Sequence, residues 1–346
     1  MLEILKKLVA FNTIKDKEND LINDYLENHL QNIGFKTERI NKCLIAKNDP
    51  NPKIGFLGHT DTVSYGSWDG DPFTIQEKDN KLIGLGVCDM KSGIAAILNS
   101  LSKIDLTKNK IALYFTDDEE ISFKGIKTIQ NENFPETVII GEPTDNIPIY
   151  GTKGLLEYKI IFKGIKTHAS TPEKGISAIY GACDFIKELR VYYEELQKDF
   201  NQDFAVPYTS MNVGLINGGE AINSVPEKCE ITIDFRVIKD DHFKQIENKI
   251  KSMLKAYDAK MILVNKIKVK INNNDLAFLE KISSKKQTAN YVTEGSFIDA
   301  NIIILGPGPI TAHEKNEYVT KESLELTEKL YIEIIKKYNE EEKKWN

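Results

Sequence analysis

The sequence predicts an α/β protein with a discontinuous main domain and an α+β insert. Three observations carry this. Ile54–Leu57, Ile111–Phe115 and Val138–Ile140 are continuous apolar runs of strand length, the kind found in a sheet covered on both faces, and they alternate with helical patterns. The middle of the chain then changes to longer strands with amphipathic helices. Finally the chain returns to helix, strand and helix, and a histidine that suits a shared site, His313, lies in that returning part.

Element by element, Leu2–Ala10 and Asp20–Ile33 carry apolar residues at helical spacing, and Gly34 stops the second. A short strand covers Cys43–Ala46, and Ser92–Ile104 reads as a helix between the apolar strands. Leu156–Phe162, Met211–Ile216 and Cys229–Val237 read as strands, and Ile176–Leu196 and Asp241–Tyr257 as helices, together a ββαα-type layer with one helical face. Val264–Ile271 closes the insert. Strand Ile302–Leu305 and a helix from Lys321 to about Tyr338 end the pattern. The boundaries are drawn at 1–153 and 272–346 for the main domain and at 154–271 for the insert.

A length of 346 residues suits about two domains, and 41% hydrophobic with 28% charged residues suits a chain that buries full cores. The net charge of −6, with no basic stripe, argues against a nucleic-acid partner. No run approaches the ~18–20 apolar residues of a membrane span. Met1–Ala10 carries Glu3, Lys6 and Lys7 and lacks a cleavage pattern, so it does not read as a signal peptide. Cys43, Cys88, Cys183 and Cys229 form no CxxC pair, which signals neither a disulfide framework nor a thiolate zinc site. A reducing cytoplasm is the expected location.

Five metal-binding side chains sit in five separate segments: His59, Asp89, Glu120, Glu142 and His313. The set suits a pair of divalent ions roughly 3.5–4 Å apart, which needs a bridging carboxylate plus further N and O donors. His59 follows an apolar strand, and Asp61 two positions on can accept its second imidazole N–H and fix the tautomer. Asp89 lies in the glycine-punctuated loop Gly84–Gly93 before a helix, where it either caps the helix or bridges two metals; the loop fits neither GxxxxGK[ST] nor GxGxxG. Asp117, Asp118, Glu119 and Glu120 follow the strand Ile111–Phe115, and their mutual repulsion would be relieved by a cation. Within that run Glu120 is assigned as ligand and Glu119 as general base. Taken alone, the run equally suits an exposed acidic turn. Glu142 follows Val138–Ile140 and precedes Pro143, which restrains it to extended geometry. His313 lies in the stiff loop Gly306-Pro307-Gly308-Pro309 and onward.

In order and flanks, GHTDTV at 58–63, WDGDPF at 68–73, GLGVCDMKSG at 84–93, TDDEE at 116–120 and GEPT at 141–144 resemble the M20-type metallohydrolases, and within them the acetylornithine deacetylases. THAS at 167–170, VPYTSMNVG at 206–214, GGEAINSVPEKCEITIDFR at 218–236, NYVTEGSFI at 290–298 and LGPGPITAHEKNEYV at 305–319 continue the resemblance over nearly the whole chain. Ser64, in place of a frequent proline, and Ser92, in place of a frequent glycine, depart from it without removing a ligand.

The resemblance implies a central mixed sheet covered by helices and an inserted lid that dimerises. It implies one metal on His59 and Glu142, the other on Glu120 and His313, Asp89 bridging, a cis Asp89–Met90 bond and Glu119 as base. His168 matches a lid histidine that donates to the developing oxyanion. Arg236 and Asn223 match positions that meet substrate carboxylate and amide, and Glu294 could face a cationic side chain. The expected activity is two-metal hydrolysis, with zinc, or cobalt or manganese, of an N-acyl amino acid. N2-acetylornithine, on the route to arginine, is the first candidate. A succinylated diaminopimelate, a dipeptide and a non-catalytic binding role are the alternatives.

Overall fold

The computed structural model describes residues 1–15 and 17–340. Two compact units result. The first comprises Met1–Gly151, Ile271–Gln287 and Phe297–Asn346, and the second Thr152–Lys270 and Thr288–Ser296. The sequence reading left residues 288–296 in the main domain; the structure groups them with the second unit.

The first unit is built on a mixed sheet in the order Lys36–Ile40, Cys43–Lys47, Ile111–Thr116, Ile54–His59, Thr137–Ile140, Asn301–Ile304, with Ile149–Thr152 beyond. The runs read as doubly covered strands are the buried centre of this sheet, where every residue of Ile54–His59 and Ile111–Thr116 is buried. Ile54–His59 is parallel to both Ile111–Thr116 and Thr137–Ile140, and Asn301–Ile304 is parallel to Thr137–Ile140. Four strands therefore end on one edge, and each releases its chain into a loop there.

Helices Leu2–Ala10, Asn19–Asn32, Ser92–Leu101 and Lys321–Glu340 supply Leu5, Leu26, Ile94, Leu98, Tyr331 and Ile334 to the one core cluster around this sheet. Burial of such side chains, at about 25 cal/mol per Å2 of apolar area, is what holds the layers together. Tyr331 packs edge-on to Phe56 at 5.3 Å and donates its hydroxyl to the Leu305 carbonyl at 2.5 Å, which fixes the last helix to the strand leading toward His313. A small sheet of Gln76–Lys78, Lys81–Ile83 and Tyr318–Thr320 ties the segment before Asp89 to the segment after His313.

The second unit is a four-stranded antiparallel sheet, Ser210–Gly218, Lys228–Val237, Gly154–Lys163 and Ala259–Ile267 in spatial order, with two helices. Alternate residues of Lys228–Val237 are buried, so Ile231, Ile233 and Phe235 join Phe185, Leu189, Phe243 and Ile246 in its core. The element order is βαββαβ, not ββαα. The last strand begins at Ala259, before the expected Val264; it is an edge strand, little buried, whose start is set by pairing with Gly154–Lys163. Helix Ala178–Leu196 starts two residues later than expected because Ser177 caps it, accepting from Tyr180 N. The helix expected to reach Tyr257 stops at Met253 and continues as the turn Leu254–Ala256.

Gly93 explains one glycine of the segment 84–93. A β-carbon there would collide with the Gly141 carbonyl, so helix Ser92–Leu101 and the loop carrying Glu142 approach through bare backbone. Gly93→Ala is expected to destabilise the chain by about 1–3 kcal/mol through this overpacking. A drop in the urea midpoint at unchanged m-value checks it.

Candidate metal centre

All five candidate ligands belong to the first unit and meet at the edge where its parallel strands end, the usual position for a site in an open α/β sheet. His59 is the last residue of its strand and is fully buried. Its Nε2 lies 3.0 Å from Asp89 Oδ1 and 3.6 Å from Glu142 Oε1. His313 lies opposite, with Nε2 3.0 Å from Glu120 Oε2 and 3.6 Å from Asp89 Oδ2. The two oxygens of Asp89 thus face different histidines, each accompanied by its own glutamate.

The loops are locked where the donors need it. Gly86 takes a left-handed φ of 72°, and Lys91 N closes back on Gly86 O at 2.8 Å, turning the chain so that Asp89 points into the site. The Asp89–Met90 peptide is cis, and His313 itself has φ 63°. Asp61 has a role beyond the one read from sequence. His59 Nδ1 is 3.1 Å from the Asp61 carbonyl and 3.4 Å from its carboxylate, so the hydrogen bond goes to the backbone. The Asp61 carboxylate instead accepts from Glu119 N and Glu120 N, each at 3.2 Å, and holds the acidic turn in place.

Electrostatics show what the cluster lacks. Burial works against charge on His59, yet Glu142, Asp61 and Asp89 outweigh it and hold the imidazole well above its usual pKa. Burial, then the charge of Asp89, pushes the Glu142 carboxyl up. His313 is raised to about 9, chiefly by its hydrogen bond to Glu120. Among the described residues Asp89, Glu120 and Glu142 form ion pairs only with these histidines. Deprotonated for ligation, three carboxylates and two neutral imidazoles would carry an excess of negative charge in this site, which divalent cations would balance. Donor atoms of His59, Glu119 and Glu142, and of His59, Asp89 and Glu120, lie within 4.8 Å of one another. The N and O donors therefore fit borderline divalent ions such as zinc, cobalt or manganese.

Two buried charged residues escaped the sequence reading. Lys91 is 1% exposed, donates to the Phe11 carbonyl at 3.0 Å, and is pushed down to about 7 by burial. Glu317 accepts from Gly86 N, joining the Asp89 loop to the His313 loop, and burial lifts it to about 8. The only cue available was their place inside DMKSG and HEKNE.

The expected substrate-facing residues all lie in the second unit. His168 accepts from Ser170 N through Nδ1 at 3.2 Å, which favours the tautomer with its proton on Nε2. Ala169 N bonds to the carbonyl of Asn223 at 2.9 Å, so His168 and Asn223 stand on facing segments, with the Asn223 side chain exposed. Arg236 is half-buried and held by Asp234 through two 2.9 Å bonds. Glu294 is buried, 1% exposed, in a helical turn.

Comparison with known proteins agrees with this fold. A family profile described as "Peptidase dimerisation domain" matches residues 150–261. Acetylornithine deacetylase of Proteus mirabilis is 32% identical, covering 97% of this chain and 96% of its own. The Buchnera aphidicola enzyme is 33% identical over 97% of each chain. Among solved structures, a Staphylococcus aureus tripeptidase superposes with a TM-score of 0.79 at 21% identity, over 98% of both chains. A Bacillus subtilis protein described as a dinuclear metal binding peptidase from the M20 family gives 0.71 at 12%, over 96% of both.

Fold and site together define a metal-dependent amidohydrolase. The chain belongs to the M20 metallohydrolases, close to the acetylornithine deacetylases.

Ligation needs a carboxylate and a neutral imidazole, so a cation must displace the protons that Glu142 and His313 hold at neutral pH. Both pKa values are raised. Metal affinity should therefore climb as pH rises toward 9 and weaken as pH falls. Calorimetric titration with Mn2+ in two buffers of different ionisation heat is expected to show more protons released at pH 6.5 than at 8.5.

Proposed function

We propose that the protein hydrolyses the N-acyl amide of an amino acid with two divalent ions, zinc by preference, and that N2-acetyl-L-ornithine is the substrate. The single observation that carries the reading is the placement of Asp89 Oδ1 and Oδ2 toward His59 and His313, each with a partner glutamate. In this reading His59 and Glu142 hold one ion, Glu120 and His313 the other, and Asp89 both. Two such ions polarise a carbonyl and make water acidic enough to act as a nucleophile near neutral pH.

The chain's own groups supply the rest. Glu119, beside His59 and Glu142, takes a proton from the attacking water as its oxygen bonds to the acyl carbon. It returns that proton to the amide nitrogen as the C–N bond breaks, leaving a carboxylic acid and an amine, and the acid's own proton then passes to the amine to give carboxylate and ammonium. Asp61 keeps Glu119 in position by binding its backbone N–H. His168, with its Nε2–H, would donate to the oxyanion. Arg236 and Asn223 are assigned to the substrate's carboxylate and amide. Glu294 is assigned to the ornithine ammonium, whose charge would compensate a buried carboxylate.

The match of residues 150–261 to a peptidase dimerisation domain supports a homodimer formed through the second unit. No helix among the described residues is long and apolar enough to cross a membrane; the cytoplasm, and a small molecule of arginine biosynthesis, are the setting proposed. The peptidase names of the structural neighbours favour dipeptide cleavage as the second reading. Succinyl-diaminopimelate follows it, and a non-catalytic binding role ranks last because Glu119 is in place.

Initial rates of zinc-loaded and chelated protein on N2-acetylornithine, succinyl-diaminopimelate, other acetyl amino acids and dipeptides test the assignment. Metal-dependent preference for acetylornithine is expected, and preference elsewhere would move the substrate. Glu119→Gln should lower kcat by about 10^2–10^4-fold with two metals still bound by elemental analysis. Turnover at the wild-type rate would remove Glu119 as the base.

A further inference from the structure

Lys153 directly precedes strand Gly154–Lys163 of the second unit, is fully buried, and has no part in the reaction described above. Resting on that hydrolysis reading, we propose that Lys153 and Arg236 act together as a two-cation site for the substrate's carboxylate. Lys153 is the covered charge that makes the site prefer an acid to a neutral ligand.

Strand pairing puts the two side chains on one face. Arg236 lies opposite Leu155 and Val237 opposite Gly154, so the alternation, continued by one residue, sends Lys153, Leu155 and Arg236 the same way. Leu156, Tyr158, Phe235 and Val237 point the other way, into the core that the two helices cover. The Lys153 ammonium donates to the Tyr208 carbonyl at 2.7 Å and lies 5.8 Å from the centre of the Phe204 ring. That carbonyl is itself held in place. The next residue, Thr209, accepts through Oγ1 from Ile238 N at 3.2 Å, and the same oxygen lies 2.6 Å from His242 Nδ1.

Negative charge is what this arrangement lacks. Among the described residues no carboxylate pairs with Lys153, while Arg236 and Asp234 offset each other through their two 2.9 Å bonds. Burial, then the charge of Arg236, pushes Lys153 down to about 8, which leaves it mostly protonated at pH 7. A covered ammonium with a guanidinium in range and no acid of its own is unfavourable to hold. The Arg236 side chain is 31% exposed, and a carboxylate seated on its remaining N–H groups would bring the missing charge to both cations. A neutral carboxamide in the same place would accept from Arg236 but leave Lys153 uncompensated. Discrimination between acid and amide therefore rests on Lys153.

The test compares kcat/KM for the acylamino acid that turns over fastest in the substrate panel with that for its α-carboxamide, in the metal-loaded wild type, Lys153→Gln and Lys153→Arg. Gln keeps a donor for the Tyr208 carbonyl and removes the charge, whereas Arg keeps the charge. The wild type is expected to favour the acid by about 100-fold, the combined worth of two charge-assisted contacts over neutral ones. Lys153→Gln should cut that preference about tenfold and leave the carboxamide rate unchanged, while Lys153→Arg should retain the preference. A merely structural lysine would lower both substrates alike. A preference that Lys153→Gln leaves intact, or that both variants lose equally, would overturn the proposal and leave the hydrolysis reading standing. So would a wild type that favours the acid by less than about tenfold, a result that needs neither variant to fold. Silence on the whole panel with metal bound would remove the hydrolysis reading itself.

Discussion

Asp89, Glu120 and Glu142 are carboxylates crowded at one edge of a sheet with, among the described residues, only imidazoles as ion-pair partners, and holding them there shapes the rest of the first unit. Like charges in a partly desolvated site push the loops that carry them apart. Each loop is therefore tied to another through backbone. Asp61 binds the N–H groups of Glu119 and Glu120, Glu317 binds that of Gly86, and Gly93 brings its helix onto the Gly141 carbonyl. The ties work because four strand ends already coincide, and those coincide because the sheet is buried on both faces. A cation would complete the arrangement by turning its main repulsion into attraction: the fold supplies the position, and an ion would supply the charge balance.

The buried strands were legible because a strand covered on both faces has to be apolar at every position, as Ile111–Phe115 and Val138–Ile140 are. His59 and Glu142 were legible as candidates for a related reason: a lone His or acid directly after such a run stands at the sheet's edge. Lys36–Ile40 and Gln76–Lys78 were not legible, because edge strands are half-wet and owe their structure to pairing with a neighbour. Lys91 and Glu317 escaped for another reason. Nothing in a sequence marks a charged residue as buried, since burial depends on which loops pack over it. The role of Asp61 was half legible: its proximity to His59 could be read two residues away, but the partnership with Glu119 and Glu120 spans distant segments that only the sheet brings together.

The second unit presents its candidate polar groups from surface and interior alike, with Asn223 exposed, Arg236 half-buried and Glu294 buried. Its sheet follows the period-two rule, so Ile233 and Phe235 enter the core and Asp234 and Arg236 share the other face. Their bidentate contact follows from that shared face. Pairing with Asp234 does not exhaust the donors of this arginine. Of the five guanidinium N–H groups, Asp234 takes one from Nε and one from Nη2, which leaves three. Those on Nη1 and Nη2 still form a fork matched to a carboxylate. If Arg236 meets a substrate carboxylate as proposed, Asp234 already restrains its long side chain, so less rotamer entropy would be lost on binding and the pair would orient Arg236 without exhausting its donors.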